Sequence, residues 1–150
     1  MAGEALELAL RALGRRERST VELRSWLVER GVADEEIDAA VAHLEEIGAL
    51  DDARFACRYA EDKQELAGWG GERIRAALLQ RGVGPEHIEA ALAADPESRQ
   101  VERAAALLVR RGEALDTARD RERALGYLTR RGYGYEVAHA AIRAFERDPD

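Results

Sequence analysis

The chain has 150 residues, 46% hydrophobic and 35% charged, with 30 acidic side chains against 23 basic ones and a formal net charge of −7 at pH 7. Its single cysteine, Cys57, excludes an internal disulfide, and no apolar run approaches the roughly 20 residues needed to span a bilayer. The first residues lack a signal-peptide pattern, so the sequence reads as that of a cytoplasmic protein in a reducing compartment.

A Gly-centred pattern recurs at Gly31, Gly82 and Gly132, 51 and then 50 residues apart. The stretches LVERGVADEEIDAAV, LLQRGVGPEHIEAAL and LTRRGYGYEVAHAAI superpose without a gap, with six columns identical in all three. Such a period is the mark of a repeat array. Reading outward from each glycine predicts three helices per unit: 3–14, 20–30 and 34–47; 51–66, 70–81 and 85–94; 97–111, 117–131 and 135–147. In the first unit Leu6, Leu10 and Leu13 share one helical face, and Ile37, Val41 and Leu44 share another. Ser19 followed by Glu22 is a capping box that opens the second helix, and Leu23, Trp26 and Leu27 point inward from it.

Each glycine is predicted to be the left-handed residue that stops a helix. Arg30, Arg81 or Arg131 then caps the helix, and Leu27, Leu78 or Leu128 contacts Val32, Val83 or Tyr133 across the reversed chain. Glu35, Glu86 and Glu136 fall in the first turn of the next helix, Asp34 is placed to cap the first copy, and Pro85 suits a first helical position. The Ala-Ala-apolar triplets ending at Val41, Leu92 and Ile142 predict a small-residue face for close packing. In the second unit the Asp51-Asp52 pair precedes Phe55 and Tyr59 and is read as a helix N-cap. Cys57, beside these aromatics, is read as a small buried hydrophobe. The fold class is therefore all-α: three tandem three-helix, helix-turn-helix-like repeats over 1–49, 50–95 and 96–150, joined most visibly at Asp95-Pro96, in an elongated array curved to the right or the left. Units of about 45 residues sit near the limit of independent stability, so neighbours are expected to share surface.

Catalysis has no visible machinery: phosphate loop, nucleophile elbow and dinucleotide fingerprint are all missing. His43, His87 and His139 stand apart without a second ligand at helical spacing, so neither metal nor cofactor is expected. Charge carries the functional signal. Residues 1–96 hold 12 basic and 20 acidic side chains, whereas residues 97–147 hold 11 and 8. Residues 34–47 contain six acidic side chains and no Lys or Arg, which would repel phosphates from a recognition helix and argues against sequence-specific DNA reading by the first units. Arginine, 22 residues against one lysine, collects elsewhere. The candidate partner-binding residues are Arg73, Arg75, Arg110, Arg111, Arg119, Arg123, Arg130 and Arg131, whose planar guanidinium groups suit carboxylates and phosphates alike.

The runs LGRRERSTVELRSWLVERG, GALDDARFACRYAEDK, GGERIRAALLQRGV and LTRRGYGYEVAHAAI resemble, in order, the successive motifs of the RecX family of RecA regulators. Leu50-Asp51-Asp52 with Phe55, Ala56 and Tyr59, followed at the family's spacing by Gly71, Arg73 and Ile74, carries most of the likeness. Gly134 stands where the family commonly has a serine cap. The resemblance implies a non-catalytic protein that binds RecA filaments on single-stranded DNA, meets the strand through the filament, and restrains recombinase, ATPase and coprotease activities in DNA repair and the SOS response. It is read as a monomer, and the competing readings are a sequence-specific DNA-binding repeat protein and a helical scaffold for another partner.

Overall fold

The computed structural model describes residues 2–147 and, among them, nine α-helices and no strand. These are α1 (Ala2–Arg15), α2 (Thr20–Glu29), α3 (Asp34–Glu46), α4 (Asp52–Ala67), α5 (Gly71–Gln80), α6 (Pro85–Ala93), α7 (Glu97–Arg111), α8 (Ala118–Arg130) and α9 (Tyr135–Arg147). The main packing runs within successive triplets: α1 on α2 and α3, α4 and α5 on α6, and α7 and α8 on α9. Each triplet encloses its own apolar cluster. Leu23, Leu27, Ile37 and Leu44 centre the first, Phe55, Ile74, Leu78 and Ile88 the second, and Leu108, Leu128, Tyr133 and Phe145 the third. The chain exposes 8875 Å², against the roughly 7,600 Å² expected of a compact monomer of this mass, as an elongated array should.

The three glycine stops form as the sequence requires. Gly31, Gly82 and Gly132 have φ of +77°, +81° and +100°. The amides of Val32, Val83 and Tyr133 donate to the carbonyls of Leu27, Leu78 and Leu128 at 3.2, 3.1 and 3.1 Å, closing three Schellman turns. Those leucines are fully buried, each contributing about 1.5–3 kcal/mol of apolar burial. Ser19 opens α2 with a complete capping box to Glu22.

Three local expectations need correction. Asp34 does not cap α3; Ala33 occupies the cap position without a side-chain bond, and Asp34 serves only as first-turn acid. In each Ala-Ala pair only the second alanine, Ala40, Ala91 or Ala141, is buried, because neighbouring helical positions lie 100° apart and one face meets the core. Cys57 is exposed. Phe55, Ala56 and Ala60 turn inward on α4, and the residue after Ala56 falls on the opposite side.

The aspartate pair divides its work. Asp51 is the N-cap of α4 and accepts from the Arg54 amide at 3.0 Å. Asp52 reaches back to the first triplet, accepting from the Thr20 amide at 2.8 Å and its hydroxyl at 3.0 Å. Asp51→Ala is expected to cost about 1 kcal/mol, read as a shift in denaturation midpoint. A larger loss would mean that Asp51 too is bound into the contact between triplets.

The triplets join head to tail by one device used twice. Ser19 and Gly70 each stand 12 residues before their own unit's stop glycine, and each meets the Arg-Gly stop of the following unit. At the first joint the Ser19 hydroxyl donates to Arg81 O at 2.5 Å, while Arg81 Nε donates to Glu22 Oε2 at 3.0 Å. At the second, the amides of Gly70 and Glu72 donate to Arg131 O and Gly132 O, both at 2.9 Å. The Arg131 guanidinium also donates to Ala67 O.

Burial pushes the Glu22 carboxyl up, but the Ser19 amide and the Arg81 guanidinium outweigh it and hold the group below its ordinary 4.5. A folded value below the unfolded one gives a contribution fully present above about pH 4.5 and lost as pH falls through the depressed value. The melting-temperature gap between wild type and Glu22→Gln is therefore expected to be open at about pH 6 and to close as pH falls through the depressed value. A gap independent of pH would detach this carboxylate's charge from the joint.

Candidate partner-binding surface

The second joint gathers cations and aromatic rings that lie far apart in sequence. Trp69, in the loop before α5, has the Arg73 guanidinium carbon 4.2 Å and the Lys63 ammonium 4.7 Å from its ring centroid. Arg73 in turn packs against Gly132, so close that a Cβ there would lie 2.7 Å from its amide nitrogen. On the far side of the stop, Tyr127 of α8 has the guanidinium carbons of Arg111 at 3.9 Å and Arg131 at 5.9 Å. Lys63, Arg73, Arg131 and Arg111 thus follow one another across the boundary between the second and third triplets, with Trp69 and Tyr127 between them.

A buried polar network fixes this arrangement. Arg103 of α7 donates through Nη2 to Asp95 Oδ2 at 2.9 Å and through Nε to the Tyr133 hydroxyl at 3.0 Å. It also reaches Trp69 O at 3.3 Å. The Tyr133 hydroxyl in turn donates a hydrogen bond to Gly68 O at 2.9 Å. Burial foremost raises the phenol above its ordinary 10, which keeps it a neutral donor. The sequence marked Asp95-Pro96 only as a joint between units and singled out neither Arg103 nor Trp69.

The predicted arginines fall into three groups. Arg75, Arg111 and Arg123 are held by carboxylates: Arg75 by Glu72 and Glu89 at 2.6 and 2.7 Å, Arg111 by Glu113 at 2.8 Å, and Arg123 by Asp120 at 2.9 Å. Arg131 is half-buried within the joint. Arg73, Arg110, Arg119 and Arg130 are exposed, and none forms an ion pair with a described residue. Arg119, Arg123 and Arg130, four and seven residues apart, share one face of α8. Phe55 is buried and Tyr59 partly so, stacked 6.1 Å apart, and the Arg81 guanidinium lies 4.9 Å from the Phe55 ring. Their place is therefore the first joint. Among the described residues no group of three or more His, Cys, Asp or Glu is placed to hold a metal ion, and no helix is long and apolar enough to cross a membrane.

Two family models match the chain, the first three-helix domain of RecX over residues 5–44 and the second over residues 51–92. A regulatory protein RecX of Thermus thermophilus is 40% identical over 119 residues, 79% of either chain. The Deinococcus radiodurans protein of the same name is 40% identical over 140 residues, covering 92% of this chain and 66% of that one. In fold, the crystal structure of RecX from Lactobacillus salivarius superposes with a TM-score of 0.90 over 97% of each chain at 19% identity. The chain belongs to the RecX family.

Proposed function

We propose that this RecX-family chain is a non-catalytic cytoplasmic regulator that binds RecA filaments on single-stranded DNA and restrains their recombinase, ATPase and coprotease activities in DNA repair and the SOS response. The observation that carries the reading is the band of Lys63, Arg73, Arg131 and Arg111 with Trp69 and Tyr127, set in a chain whose net charge is −7. Guanidinium groups there suit the exposed carboxylates of a protein filament or the phosphates of its strand. The three units, 1–49, 50–95 and 96–150, act as one elongated monomer long enough to meet more than one subunit of a helical polymer. Inhibition then requires tighter binding to a less active filament state than to the active one.

The decisive assay is RecA-driven strand exchange and ATP hydrolysis with the protein titrated in from substoichiometric amounts to saturation; undiminished rates throughout would end the proposal. Within it, Arg119→Ala with Arg130→Ala is the cleaner interface test than substitution at Arg131, which would open the joint. The double variant is expected to keep its melting temperature while filament binding weakens and its salt dependence flattens. Wild-type binding would move the contact to Arg73.

A further inference from the structure

Four arginines of the acidic first triplet lie near one another, and no carboxylate of a described residue is paired with any of them. Arg15, Arg16 and Arg18 lie at the α1–α2 corner and Arg30 at the C-cap of α2, and none forms an ion pair with a described residue. Arg16 and Arg18 help line a groove of about 400 Å³ that also holds Trp26. The Arg30 guanidinium carbon sits 3.5 Å from the centroid of the Trp26 ring, with that of Arg18 at 5.6 Å. Two carboxylates face the same groove. Glu22 is already engaged by Arg81, and Glu29 is exposed without an ion pair. Burial first, then Arg16, with Arg30 and Arg15 adding, holds the Arg18 guanidinium below its ordinary value, against the raising influence of Glu22. Like charges crowded in this way are unfavourable in the free protein and are relieved by a bound anion.

We infer that this corner is a direct contact for single-stranded nucleic acid, with phosphates on Arg15, Arg16 and Arg18 and a base stacked on the Arg30–Trp26 pair. A guanidinium lying on an indole offers its outer plane to a base, whereas an acidic peptide has no flat face to use it. Arg30 is exposed, as that role requires. Trp26 stands five residues before its stop glycine, as Tyr127 does in the third unit, where Arg111 takes the stacked position. The contact goes beyond the filament reading, in which the strand is met only as part of a RecA filament.

The test uses the full chain alone, with no recombinase, and a fluorescein-labelled oligothymidylate followed by anisotropy across a salt series. Wild type is expected to bind at low salt. Arg15→Glu with Arg16→Glu, both exposed positions, is expected to lose roughly tenfold or more in affinity and about 1.4 from the slope of log affinity against log salt. Arg30→Met, which keeps the aliphatic stem over Trp26, should weaken binding with a smaller change in slope. Circular-dichroism melts of both variants establish that they remain folded. Three results overturn the inference: no strand binding by wild type, variants that bind as wild type does, or labelled polyglutamate whose binding the double variant loses while strand binding persists. The filament reading is judged separately, by strand exchange, and survives any of these.

Discussion

Alanine at Gly132 is expected to destabilise the protein by about 3–4 kcal/mol, and alanine at Gly31 by only about 1–2 kcal/mol, although both glycines end helices in the same way. Their left-handed backbone is common ground, and a Cβ is disfavoured there at all three stops. What differs is the neighbour. A Cβ on Gly31 meets nothing within 4 Å. On Gly132 it would strike Arg73 Cβ and lie 2.7 Å from Arg73 N and 2.9 Å from Gly70 O. Backbone cannot yield without giving up the two amide bonds from Gly70 and Glu72, worth about 0.5–1.5 kcal/mol each. Gly82 belongs with Gly132, since its Cβ would fall 2.5 Å from Val21 Cβ. Trimming Val21 to alanine keeps that atom and should not rescue it. Denaturation midpoints of the three single variants decide the matter, and equal losses would show that the joints do not depend on these close approaches.

The same comparison explains why the helices could be read from the sequence and the joints could not. A helix stop is local: leucine, arginine, glycine and an apolar residue within six positions specify it, so all nine helices lie within two residues of their predicted limits. A joint is assembled from residues 32 to 65 apart, such as Thr20 with Asp52, Glu22 with Arg81 and Gly68 with Tyr133, and each member looks like an ordinary surface or cap residue on its own. Asp52 illustrates this, since nothing local distinguishes a cap from a side chain that reaches Thr20. Charge pairing was hidden for the same reason. Counting arginines by segment does not tell that carboxylates hold Arg75, Arg111 and Arg123, nor that Arg15, Arg16, Arg18 and Arg30 lie unpaired among the described residues of a unit of acidic average. The error at Cys57 was one of helical phase, because flanking aromatics do not say which side of the helix an intervening residue takes.

Arg103→Leu is expected to destabilise by about 3–5 kcal/mol, because it strands a buried carboxylate. Only 5% of the Asp95 side chain and 18% of the Arg103 side chain are exposed. Burial is the largest influence on the guanidinium and works against its charge, yet the bonds to Asp95 and Tyr133 prevail and its affinity for the proton is raised. Removing the arginine leaves Asp95 and the Trp69 carbonyl without this donor in a place water reaches poorly, whereas removing both charges spares that penalty. The double variant Asp95→Asn, Arg103→Leu should therefore be clearly more stable than the two single losses would add up to. The consequence for the binding surface is local. Arg103 grips Trp69 and Tyr133, so its loss should release the amides of Gly70 and Glu72, which bridge the second and third triplets, sooner than amides inside α7 or α9. Hydrogen exchange on the single variant reads this directly. Protection lost evenly through the third triplet would show that Arg103 supports the core of its own unit rather than the joint, and the order of the basic band would then have to come from Arg131 and Gly132 alone.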